Sequence, residues 1–167
     1  MDHCGSNVNK RVLNNVFRGA SAINMDAKGR IAIPARYRDA LRVEHAGTVI
    51  MTVDIDAACL LIYPLHEWEQ IEAKLRLLSD TDPLERSFKR KLLGHAQDCE
   101  LDRHGRIVIP PALRSFASLE KKTMLVGLLN KFELWEESAW QQQMDDGNAL
   151  IQSQDLASNE RLAHFSL

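Results

Sequence analysis

A chain of 167 residues, 45% hydrophobic and 26% charged, has the make-up of a globular protein, long enough for one domain or for two small halves sharing a core. Its longest apolar runs, such as Cys59-Leu-Leu-Ile-Tyr63, fall far short of a membrane span, and no apolar signal-peptide region follows the N-terminus. Cys4, Cys59 and Cys99 are odd in number, widely spread and free of C-x-x-C spacing, which argues against a disulfide framework and for reduced thiols in a cytosol.

The net charge of −2 hides an uneven distribution. Residues 26–42 sum to +3 and residues 102–114 to +2, leaving −7 for the rest of the chain. A local field of that kind bears more on nucleic-acid binding than the total does.

Residues 1–15 show no sustained period and read as a disordered lead. From Ala20 a short strand is expected, with Ile23 and Met25 on one face. Asp26-Ala-Lys-Gly29 suits a turn, because Asp can accept from the amides that follow it and Gly tolerates positive φ. Arg30 to Ile33 returns as a strand, and Pro34 stops it and opens a helix from Ala35 to Leu41. Thr48 to Val53 and Leu60 to Tyr63 read as strands, joined through a turn at Asp54-Ile-Asp56. Leu65, Trp68, Ile71, Leu75 and Leu78 then recur at helical steps.

Ser79-Asp-Thr-Asp-Pro83 is a boundary, with Asp82 placed to cap a basic helix and Pro83 at its first position. Leu84, Phe88 and Leu92 are expected to mark the inner face of that helix and Gly94 its end, with Arg86, Lys89, Arg90 and Lys91 outside. The second half replays the first. Asp102-Arg-His-Gly-Arg106-Ile-Val-Ile-Pro110 repeats Asp26-Ala-Lys-Gly-Arg30-Ile-Ala-Ile-Pro34 at an offset of 76 residues. Ala96 to Leu101 is the strand before the turn, Arg106 to Ile109 the strand after it, and Pro110-Pro111 opens a helix through Phe116. Thr123 to Val126 matches Thr48 to Met51 with a shift of one residue. Phe132 to Trp135 matches Leu60 to Tyr63, and Trp140 matches Trp68. Beyond Met144, Asp145-Asp-Gly-Asn148 is expected to break the helix and leave a mobile or weakly helical tail. The chain therefore divides into a lead (1–15), a first repeat (16–79), a connecting helix (80–95), a second repeat (96–144) and a tail (145–167).

Catalytic readings find little support. Asp26 and Asp102 invite a paired-carboxylate site, yet each is followed by a basic turn, and the pairing would demand close approach of like charges. His45, His66, His95, His104 and His164 lie in different elements without metal-ligand spacing, so no metal, cofactor or small-molecule substrate is implied. Phosphate-loop, dinucleotide and nucleophile-elbow motifs are missing. Trp68, Trp135 and Trp140 read as core. Asp26 with Gly29, and Asp102 with Gly105, read as residues that shape the turns. Arg30 and Arg106 carry donor forks suited either to an Asp across the turn or to a phosphate or guanine edge.

Phe17-Arg-Gly-Ala20, Asp26-x-Lys-Gly-Arg30, Leu60-Leu-x-Tyr-Pro64 with Glu67-Trp68, Leu92-Leu-Gly-His-Ala96 and Asn130-Lys-Phe-Glu-Leu-Trp135 together resemble the MraZ family of bacterial regulators. The resemblance runs from Phe17 into the tail. It implies an α+β fold in which two tandem SpoVT-AbrB-like repeats form one pseudo-symmetric β-barrel with peripheral helices. It also implies a ring-shaped homo-oligomer, cytoplasmic and nucleoid-associated, that binds G-rich direct repeats in double-stranded DNA and represses its own division and cell-wall operon. By position, Arg30 and Arg106 become the DNA-contact residues, with Lys28 and Arg103 beside them. Val16 stands where the family's initiating Met is expected, which points to Val16 as the start and to residues 1–15 as an upstream extension. The competing class is a ring-forming interaction scaffold whose DNA binding is incidental.

Overall fold

The computed structural model describes residues 16–165, so the expected lead lies outside it. Among these residues eight strands and six α-helices follow in the order β1 (Phe17–Asn24), β2 (Arg30–Ala32), α1 (Ala35–His45), β3 (Thr48–Val53), β4 (Leu60–Pro64), α2 (Leu65–Leu75) and α3 (Pro83–His95), then β5 (Gln97–Glu100), β6 (Arg106–Val108), α4 (Pro111–Phe116), β7 (Lys122–Leu129), β8 (Lys131–Glu136), α5 (Glu137–Ser153) and α6 (Glu160–Ala163), with a 3-10 turn at Leu156–Ser158 between the last two. The fold is mixed α+β.

One antiparallel sheet has the strand order β1-β7-β8-β4-β3-β5, and β2 pairs with β6 in a separate two-stranded ribbon. The sheet order is unchanged when β1 exchanges with β5, β3 with β7 and β4 with β8. Two registers locate the pseudo-two-fold axis behind that symmetry. In the ribbon Ile31 faces Ile107, its own repeat mate. In the sheet Leu61 faces Glu133, which the Leu60-to-Phe132 match also makes a repeat pair. The axis therefore runs through both junctions.

The first strand of each repeat belongs to the other's half of the sheet. Strand β1 pairs with β7, from Phe17 opposite Leu129 to Asn24 opposite Lys122, and β5 pairs with β3. Gly127 permits the close approach of β1, since a Cβ there would stand 2.6 Å from the Arg18 nitrogen. These registers also correct one expected match. Given the Leu60-to-Phe132 match, Val49 opposite Pro64 and Thr123 opposite Glu136 make Thr123 the counterpart of Val49, not of Thr48. The shift against the turn repeat is two residues, an even number that keeps each side chain on its face of the sheet.

Both faces of the central strands are covered, which is why β4 is buried at every position and lacks alternation. On one face Val49, Met51, Leu60, Ile62, Leu125, Phe132 and Leu134 pack with Ile31 and Ile107 from the ribbon and with Tyr37, Leu41 and Leu113 from α1 and α4. On the other, Ile50, Leu61, Tyr63, Val126 and Trp135 meet Trp68 of α2 and Trp140 of α5. Trp68 and Trp135 are core residues, as expected, and Trp140 packs partly buried at the edge of that cluster. Burial pushes the thiols of Cys59 and Cys99 up from their ordinary range, Cys99 to about 11, so neither is poised as a nucleophile.

Several boundaries differ from the sequence reading. Strand β1 begins at Phe17 rather than Ala20, because its pairing with β7 extends to that end. Helix α1 continues to His45, and Gly94 lies inside α3 rather than ending it. Asp82 caps α3 by accepting from the Glu85 amide at 2.9 Å, and Pro83 opens it, as expected. Its inner face is not the predicted one. Leu92 is buried and its carbonyl accepts from Thr52 Oγ1 at 2.6 Å, but Leu84 is 79% exposed and Phe88 39%. Lys89 and Lys91 are half-buried instead, donating to the carbonyls of Leu78 and Ile55. Nor do Asp145 to Asn148 break α5. Gly147 costs a helix only about 1 kcal/mol against Ala, and Gln141-to-Asp145 and Gln142-to-Asp146 bonds at 3.1 and 2.8 Å brace the turn it sits in.

Candidate nucleic-acid interface

Each repeated turn is built by its aspartate. One oxygen of Asp26 accepts from the amides of Lys28 and Arg30, both at 2.9 Å, and the other from Arg30 Nε at 2.7 Å. Asp102 does the same with the amides of His104 and Arg106 at 2.8 and 2.9 Å, and with Arg106 Nε at 2.8 Å. Gly29 and Gly105 follow at φ of 75° and 74°, a left-handed conformation that favours glycine. The local chemistry is identical in the two copies.

The donated amides hold both carboxyls below their ordinary range, the Arg30 amide contributing most at Asp26 and the Arg106 amide most at Asp102, where the value falls to about 2. A depressed carboxyl stabilises the fold above its ordinary value of 3.8 and loses that contribution as pH falls through about 2. Asp102→Asn should therefore melt below the parent protein near neutral pH, and the gap should shrink as the buffer is taken from pH 4 to pH 2. A gap constant over that window would contradict the turn bonds.

The aspartates fix the Nε edge of Arg30 and Arg106 and leave the two side chains 26% and 33% exposed. Ribbon pairing then sets their relation. Arg30 stands opposite Val108 and Arg106 opposite Ala32, with Ile31 and Ile107 turned into the core between them. Both arginines thus share the outer face of the ribbon, diagonally across the axis and roughly 7–8 Å apart along the backbone. Val108, 54% exposed, lies on the same face. Lys28 and Arg103 are exposed at the tips of the two turns. Arg103 Nε donates to His104 Nε2 at 3.1 Å.

Three further arginines reach these turns, and the motif did not point to them. Arg38 of α1 lies over Gly105, and Arg114 of α4 lies over Gly29. Arg42 donates to the carbonyls of Asp102 and Arg103 at 3.0 and 3.1 Å. A signal for the first two was present, since Arg38 and Arg114 are separated by the same 76 residues as the two aspartates.

A family model described as "MraZ protein, putative antitoxin-like" matches twice, over residues 16–91 and 92–159. A protein of Shewanella frigidimarina, named transcriptional regulator MraZ, is 98% identical over 152 residues, which are 91% of this chain and all of the relative. Proteins of the same name in Shewanella denitrificans and Shewanella oneidensis are 72% and 64% identical over the same shares. With two family copies that between them cover residues 16–159 and relatives matched along their full length, the chain belongs to the MraZ family.

Proposed function

We propose that this chain is a DNA-binding transcriptional regulator that reads duplex DNA with the outer face of the β2–β6 ribbon and the turns flanking it. The observation that carries the reading is geometric. Two arginines, each fixed at Nε by its own aspartate, share one exposed face of a two-stranded ribbon. A β-ribbon fits the major groove, where an arginine fork matches the guanine O6 and N7 edge, and that chemistry favours G-rich sites. Lys28 and Arg103 at the turn tips suit the flanking phosphates. The regulatory role named for the relatives agrees with it.

The sheet and its ribbon are read as a SpoVT-AbrB-like barrel, and the protein as a ring of such units in the cytoplasm, associated with the nucleoid. Leu84 and Phe88 of α3 are exposed apolar residues suited to contacts between copies. A ring multiplies a weak turn. Each bidentate arginine–guanine pair discriminates by about 1–3 kcal/mol, and linked copies add up steeply on direct repeats of matching spacing. The natural target is the control region of the protein's own division and cell-wall operon.

Arg30→Ala should abolish binding to a duplex from that upstream region while the size of the oligomer stays unchanged in solution. Retained binding in a salt titration would leave the turn merely structural. Equal affinity for random duplex would favour the scaffold reading instead.

A further inference from the structure

The turns are not supported by their own repeats alone. A Cβ added to Gly29 would stand 2.7 Å from Arg114 Cζ, and one added to Gly105 would stand 2.9 Å from Arg38 Cζ. Each arginine side chain lies against a turn glycine of the other repeat, in space that any other residue would fill. The backbone repeats the exchange. The Ile33 amide donates to the Gly105 carbonyl at 2.9 Å, and the Ile109 amide to the Gly29 carbonyl at 2.8 Å.

We infer that Arg38 and Arg114 are positioning residues for DNA reading, each setting the height and pitch of the turn presented by the opposite repeat. This rests on the reading of the ribbon given above. The turns of one repeat are then finished by a helix of the other, and the reading face is a joint product of both.

Charge supports an anionic partner over simple packing. Arg38, Arg42, Arg103 and Arg106 gather on and against the second turn and, among the described residues, only the Asp102 carboxylate enters its bonds. A half-buried leucine or methionine would cover a glycine as well without crowding like charges. A guanidinium also carries an Nε donor on its stem, which an ammonium lacks. Arg38 Nε donates to the Ile33 carbonyl at 2.6 Å, whereas Arg114 Nε is buried with no partner among the described residues. Ser118 occupies the place of Arg42 in the second repeat, so among the described residues one arginine of the opposite repeat braces the first turn and two brace the second.

The test compares Arg38→Lys and Arg114→Lys with the parent protein on two labelled duplexes, one from the region upstream of the native gene and one of random sequence and equal length. Lysine keeps the charge and removes the planar fork. Each variant should lose about tenfold or more in preference for the upstream duplex, because base contacts fail when their support shifts. Random-duplex affinity and the slope of log affinity against log salt should stay unchanged, since no phosphate contact is lost. Preference equal to that of the parent would overturn the inference. So would a parallel fall on both duplexes with a shallower salt slope, which would make the arginines phosphate contacts. Arg30→Ala run alongside separates the two levels. If it binds normally, the ribbon reading itself fails; if it loses binding while the lysine variants discriminate normally, only the positioning role fails.

Discussion

Expressed alone, residues 16–82 will stay unfolded, and so will residues 83–165. Among the described residues, strand pairs β3–β4 and β7–β8 lie within one repeat, whereas β1–β7, β3–β5, β4–β8 and β2–β6 join the two. A separated first half would keep one hairpin, with β1 and β2 unpaired and Ile31, Met51 and Ile62 exposed to water. Isolated hairpins are marginal at best, and a chain below about 70 residues has little core to spare. The two fragments mixed together should recover the parent's sheet signal by circular dichroism, because each supplies the other's missing strands. Dispersed amide resonances from either fragment alone would contradict the strand exchange.

Phe132→Ala should cost about 3–5 kcal/mol in urea unfolding, the usual range for emptying a buried phenylalanine site. The side chain is fully buried, with its ring centroid 4.2 Å from that of Phe17 and 5.0 Å from that of Tyr37. Phe17 and Tyr37 stack edge to face at 5.5 Å, and the Tyr37 hydroxyl donates to the Arg18 carbonyl. This cluster ties β8, β1 and α1 together at one point, so little around the cavity is free to collapse into it. A typical domain holds only about 5–15 kcal/mol in all, and the variant would give up a large share. Val108→Ala, on the exposed outer face, should stay within about 0.5 kcal/mol. Equal losses at both positions would mean that the two sides of the fold are misassigned.

Local chemistry was legible in the sequence and long-range geometry was not. The Asp26 and Asp102 turns, the cap at Asp82 and the limits of β3 all rest on neighbours a few residues away. The strand exchange rests on partners that no short window contains. Periodicity assigned an inner face to α3 but could not know that, of its three apolar positions Leu84, Phe88 and Leu92, only Leu92 is buried. Asp-Asp-Gly-Asn looked like a break in α5 because turn propensity was weighed without the glutamine bonds that offset it. Arg38 and Arg114 were hidden for a similar reason. They sit on helices, away from the motif, and their role depends on which repeat each helix lies against.

The pairing of Phe17 with Leu129 also governs how the protein can be made. The two residues are 112 positions apart, and a ribosome adds roughly 5–20 residues per second. Strand β1 therefore waits on the order of 6–20 s for its partner to be synthesised. During that interval the nascent first half carries open strand edges and an uncovered apolar face, both prone to adventitious pairing. The protein is most vulnerable to aggregation before its own last third exists.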